Sequence, residues 1–216
     1  MSERVKIILD KNADILRLPA IALRGLVVFP GNIIHFEVGR KKSIAAIEWA
    51  MSNNNAVFLT AQQDMDVEDP GFKDLYAYGV VAEVKQVLRV SDELVKVLVE
   101  GKYRAKLLTL DSSGRFLLAS TKAAALRGTK SVDSARVEAL VRSVKEAFEE
   151  YLSLNPRLSK DVVYTIITNE DAALLCDYIP ANLLLKYTDK QALLNEGTVS
   201  GRLEKLLEIL RRETKI

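Results

Sequence analysis

Apolar and polar positions follow one rhythm in the first part of the chain and another in the second. From about Arg17 to Leu126 the pattern is strand-like: LPAIALRGLVVFPGNIIHFEV breaks into short extended pieces at Gly25, Pro30 and Gly31. SIAAIEWAM interrupts with a helix, placing Ile44, Ile47 and Met51 on one face behind a candidate N-cap, Ser43. AVFLTA reads as a buried strand, and MDVEDPGFKD as a loop around Pro70-Gly71. In YAYGVVAEVKQVLRV the spacing of Val81, Val84 and Val87 breaks strict alternation, which predicts a bulge near Gly79 or later in that strand. Val95, Val97 and Val99, then Tyr103, Ala105 and Leu107, alternate on either side of Gly101, which predicts a hairpin turning at that glycine. RFLLAST is the last strand.

The second part repeats at three and four residues. Val137, Leu140, Val141, Val144, Phe148 and Leu152 form one face of a helix, with Glu138–Arg142 and Lys145–Glu149 as outer pairs and Asn155-Pro156 as its stop. Shorter helices are expected over KDVVYTIIT, EDAALLCDYI and DKQALLN. A final one, SGRLEKLLEILRRE, buries Leu203, Leu206, Leu207 and Leu210. It runs almost to Ile216 without a stop signal, the pattern expected of a chain that continues. The polar seam LRGTKSVDS, with Gly128, is the expected hinge. The predicted organisation is α+β: a β domain over 1–126, with short strands in a barrel-like arrangement and one helix, then an all-α helical bundle over 131–216.

Composition narrows the function classes. A net charge of +2 gives no general attraction to nucleic acid or anionic membranes, and no apolar run is long enough to span a bilayer. The first nineteen residues mix charges among apolar positions, unlike a secretory signal, so a cytoplasmic location is expected. The single cysteine, Cys176, excludes an internal disulfide and a multi-cysteine metal site.

Candidate chemistry is sparse. The Gly101-Lys102 pair resembles the end of a phosphate loop, but Lys96 stands where the first glycine belongs and Tyr103 where the hydroxyl belongs. His35, the only histidine, lies in an apolar strand and reads as a packed or edge residue. Asp64, Asp66, Glu68 and Asp69 lack calcium-loop spacing and read as a solvated loop. No catalytic, cofactor-binding or metal-ligating residue is assigned. The surface candidates for engaging a partner are Trp49, off the apolar stripe of its helix, and Leu26 and Phe29 in RGLVVFPGN, although most residues of such a segment turn inward.

Several segments together resemble a known family. Leu18-Pro19, Leu23-Arg24, Phe29-Pro30, Val38-Gly39-Arg40, Gly79 and Val95–Ala105 fit an opening L-P-x-x-x-L-R-x-x-V-x-F-P, then V-G-R-x-x-S, D-L-Y-x-x-G and V-K-V-L-V-E-G-x-x-R-A. This pattern looks like the amino-terminal region of the Lon family of ATP-dependent serine proteases, and DYIPANLLLKYTDKQALLNEGTVSGRLEKLLEIL is similar to the segment that follows there. The resemblance spans nearly the whole chain; nothing is carried onto its first fourteen residues, and Pro180 departs from the small residue expected in its helix.

The resemblance implies a PUA-like β domain followed by a helical bundle, truncated before an ATPase domain. The implied role is non-catalytic recognition of unfolded or damaged protein substrates, with self-association as a hexamer in the full-length protease. It also implies degradation of misfolded, damaged and short-lived regulatory proteins by the full-length enzyme. ATP and Mg are implied for that longer protein only. Two alternatives are a stand-alone Lon-type substrate-binding adaptor and a PUA-like RNA-binding module, the second opposed by near-neutral charge and few aromatics.

Overall fold

The structure is a computed structural model that describes residues 15–128 and 134–215. The N-terminal segment MSERVKIILDKNAD and most of the expected hinge lie outside the described residues. The chain divides into two compact units, Met1–Ala125 and Leu126–Ile216.

The first unit contains β1 (Leu16–Leu23), β2 (Ile33–Val38), helix α1 (Lys41–Asn53), β3 (Ala56–Ala61), a short 3-10 turn (Phe72–Asp74), β4 (Tyr78–Arg89), β5 (Val95–Asp111) and β6 (Leu117–Ala123). They form one six-stranded sheet in the order β2-β5-β4-β3-β1-β6. β1 and β3 run parallel; the other pairings are antiparallel. The expected barrel-like arrangement of short strands is therefore corrected to a sheet with β2 at its edge and two long strands, β4 of 12 and β5 of 17 residues.

The error traces to Gly101. It is not a hairpin turn but an interior residue of β5, and the reversal lies earlier, where Val90 and Ser91 donate to the Leu94 carbonyl. Alternation continues unbroken through Gly101, so a single strand spans what the glycine suggests are two. β5 is long enough to serve several neighbours: its first half pairs with β2, its second half with β6, and β4 runs beside both. The expected irregularity in β4 is present at both places, with register shifts at Val81/Ala82, two residues beyond Gly79, and further along at Val84/Gln86.

Side-chain alternation gives the sheet two buried faces. Ile21, Leu23, Val57, Leu59, Val97 and Val99 pack with Ile44, Ile47 and Ala50 of α1. Leu18, Ala20, Phe58, Tyr103, Leu107 and Leu117 build a separate cluster. Burial on both sides explains why every residue of β3 is inaccessible. Arg104, 6% exposed, is held by the Ala124 carbonyl at 2.9 Å and lies 4.0 Å from the Tyr78 ring centre.

The second unit contains α2 (Ser134–Leu154), α3 (Lys160–Thr168), α4 (Ala172–Asn182), α5 (Tyr187–Asn195) and α6 (Val199–Glu213). Ser159 and Asp171 cap α3 and α4 by accepting first-turn N–H groups, and Thr198 caps α6 in the same way. Val141, Val144 and Phe148 of α2 are buried, as the spacing predicts, with Leu203, Leu206 and Leu210 of α6. Lys145 pairs with Glu170 at 2.6 Å rather than with Glu149. Pro180 is accommodated inside α4, which ends two residues later at Asn182.

Candidate functional site

The three surface candidates lie at different depths. Trp49 is 39% exposed on α1, its ring 5.7 Å from that of Phe116 and tilted by 48°. The Glu48–Arg89 pair (2.6 Å) closes on the neighbouring helix position, and Met51, expected on the buried stripe, is exposed. Ala50 takes the buried place instead. Leu26 is half-buried against the α1 face of the core, whereas Phe29 is fully buried. Gly31 and Asn32, just beyond Phe29, bond to Gly101 of β5 through backbone groups (2.8 and 2.9 Å). The structure thus does not gather Trp49, Leu26 and Phe29 on one surface.

What it does assemble is a cavity of about 460 Å³ between the end of β1, β2 and the start of α1. Ile21, Leu23, Leu26 and Phe36 give it apolar walls, while Arg24, Arg40 and Ser43 give it a polar end. The chain turns sharply after Arg24 because Gly25 takes a left-handed conformation, φ +64°. Arg40 immediately precedes α1 and is tied down: it donates to the Ala22 carbonyl (3.3 Å), the Val67 carbonyl (3.3 Å) and the side-chain oxygen of Gln62. Gln62, fully buried, in turn donates to the carbonyls of Asp64 (3.0 Å) and Val67 (2.9 Å). Arg40 and Gln62 therefore clamp the Asp64–Asp69 loop beside the start of α1.

Burial, and then the neighbouring Arg24 charge, lower the Arg40 pKa, partly offset by Asp69 and Glu68; the guanidinium remains cationic. The acidic loop is used structurally. Asp64 accepts from the Asp66 N–H at 2.9 Å and Asp69 pairs with Lys42 at 3.1 Å. Among the described residues no cluster of His, Cys, Asp and Glu has the arrangement of a metal site. His35 is exposed on edge strand β2, opposite Leu98.

The residues here do not fit a nucleotide phosphate. The Gly101 N–H is committed to the Asn32 carbonyl, and Lys102 bridges Glu83 (3.2 Å) and Glu100 (2.9 Å). Cys176 is fully buried, its thiol pushed up to about 12 by burial, and its sulfur lies 3.7 Å from the Val199 carbonyl. Such a thiol is a poor nucleophile. The Arg40–Gln62 clamp escaped sequence reasoning because its partners stand 22 positions apart. Arg40 itself lay in the V-G-R-x-x-S pattern, the one signal that could have singled it out.

Comparison with known proteins gives a consistent answer. Residues 17–212 match the family model described as the ATP-dependent protease La (LON) substrate-binding domain. The Lon protease of Desulforamulus reducens is 38% identical over 205 residues, covering 95% of this chain and 25% of the relative. That of Escherichia coli K12 is 36% identical over 203 residues, covering 94% and 26%. The chain thus spans about a quarter of the length of these relatives. The N-terminal domain of a Mycobacterium avium complex Lon protease superposes with a TM-score of 0.72 at 20% identity, covering 91% of this chain and 98% of that one. The Lon N-terminal domain protein of Xanthomonas campestris gives 0.62 at 15%, covering 89% and 98%; these two likenesses concern the fold alone. With a family match over almost its whole described length, the chain belongs to the Lon substrate-binding domain family.

Proposed function

We propose that this chain is the non-catalytic region through which a longer ATP-dependent serine protease recognises unfolded or damaged protein substrates. The family match across residues 17–212 carries the reading. In this proposal hydrolysis, ATP and Mg belong to the rest of the protease, which acts in the cytoplasm as a homohexamer, and the unit boundary near 125 separates the β domain from a helical bundle leading toward the motor. Substrate contact falls on Trp49 and Leu26, with Phe29 supporting them from within the core.

Apolar capture prefers unfolded over folded clients and tolerates salt, because apolar burial is not screened. The test is binding of reduced, carboxymethylated lactalbumin and of native lactalbumin to the 216-residue chain, at low and high salt. Preference for the unfolded form at both salt concentrations, weakened by Trp49→Ser, is expected. Equal binding of both forms, or binding that collapses with salt, defeats the reading.

A further inference from the structure

We propose that the cavity between β1 and β2 receives the C-terminus of an extended peptide, with its free carboxylate at the start of α1 and its last, apolar side chain against Ile21, Leu26 and Phe36. This rests on the substrate-binding reading above and specifies what part of a substrate is read.

Backbone geometry supplies the first argument. β1 pairs with β6 only as far as Ala20, so from Ile21 to Leu23 its sheet partner is β3 alone. β2 pairs only with β5. Both strands flank the same cavity; on β1 the Ala22 carbonyl is already taken by Arg40, so it is chiefly edge strand β2 that offers N–H and C=O groups to an added extended segment. The volume, about 460 Å³, accommodates the last residues of a chain rather than a folded element.

The polar end supplies the second. α1 is 13 residues long, lacks a side-chain cap and has no acidic residue in its first turn, so its free N–H groups and positive dipole end are left for an outside anion. An independent observation points the same way. Ser43 is only 6% exposed and lines the cavity, yet its hydroxyl has no hydrogen-bond partner among the described residues. Among the described residues the buried donor left unpaired at this end is Arg40 Nε, which is costly, and a bound carboxylate oxygen would accept from it and from the Ser43 hydroxyl.

Two cations complete the end. Arg40 is fixed by the Ala22 carbonyl and Gln62, and Arg24 is exposed beside it, with only a long 3.5 Å contact to the Val67 carbonyl. Asp69 and Glu68 offset the repulsion between the two guanidinium groups only in part, and an anion bound between them would relieve the rest. Glu37 also lines the cavity, but Lys96 lies 3.7 Å from its carboxylate.

The probes are a short fluorescent peptide ending in Ala-Val-Leu with a free carboxylate and the same peptide as its C-terminal amide, followed by anisotropy on the 216-residue chain. The free acid should bind about tenfold more tightly, the effect of losing one charge-assisted hydrogen bond. Arg24→Ala, at an exposed position, should erase most of that difference, and Ser43→Ala should reduce it in the same direction. Equal affinity for acid and amide overturns the carboxylate site and leaves the substrate-binding reading intact. Failure of both peptides while carboxymethylated lactalbumin binds overturns it too; failure of all three sinks both readings.

Discussion

A β-carbon on Gly101 would stand 2.2 Å from the carbonyl oxygen of Phe29, a separation that no side chain tolerates. Phe29 is fully buried, and the Gly101 amide and carbonyl hold Asn32 and Gly31 at 2.9 and 2.8 Å, so neither partner can withdraw cheaply. Gly101→Ala should destabilise the β unit by about 3 kcal/mol, the upper end for overpacking. Trp49 is the only tryptophan and lies in that unit, so its fluorescence during urea unfolding is the readout. An unchanged midpoint would mean that the approach of Phe29 to β5 is not as described.

That glycine also shows where sequence legibility stopped. Each helix of the second unit was visible because a buried stripe at three- and four-residue spacing is a local property, and caps such as Ser159 and Asp171 agree with it. In the β unit the strands were visible but not their pairing. Gly101 is needed because a segment some seventy positions earlier crosses it, and nothing local separates that need from a turn. The same holds for the site: Arg40 and Ser43 sit in a legible pattern, but the cavity they share with Ile21 and Phe36 exists only once β1 and β2 are placed side by side.

Arg202 is fully buried in the helical unit and bonds the Asp177 carboxylate and the Glu196 carbonyl (3.0 Å), with a longer reach to the Leu194 carbonyl (3.5 Å). Arg202→Met deprives Asp177 of this counter-charge and the end of α5 of its donors. A loss of roughly 3–5 kcal/mol is expected, as for breaking one side of a buried ion pair. Adding Asp177→Leu should recover part of it, since the carboxylate is then gone as well. Circular dichroism in urea checks both; a single variant within about 1 kcal/mol of the parent would show the pair to be dispensable.

On the sheet surface Glu83, Lys85, Glu100 and Lys102 form a ring of contacts between 2.9 and 3.2 Å. Hydrogen bonds from Lys102 and then Lys85 lower the Glu100 pKa, while bonds to Glu100 and Glu83 raise that of Lys85. A lowered carboxyl pKa stabilises the fold above its ordinary value of 4.5, and that contribution disappears as pH falls through the still lower folded value. The raised lysine contributes fully below 10.5 and loses its contribution as pH climbs through the higher folded value. Glu100→Gln should therefore lower the Trp49-monitored urea midpoint at neutral pH and converge on the parent well below 4.5. A gap of the same size at both pH values would assign the effect to packing.

Cys176 offers a direct reading of how often the helical unit opens. Burial raises its pKa to about 12, against an opposing pull from Arg202, so in the closed state the thiolate is scarce and shielded. Labelling by iodoacetamide at mildly alkaline pH should then proceed only through opening, orders of magnitude more slowly than in urea. Arg202→Met should accelerate it in step with the stability lost, about a hundredfold for roughly 3 kcal/mol. The same variant also removes the charge that favours the Cys176 thiolate, so it makes the closed-state thiol less reactive, not more. Acceleration therefore reports opening alone, and a rate in the parent chain equal to that of the unfolded protein would place Cys176 at the surface instead of beside the Val199 carbonyl.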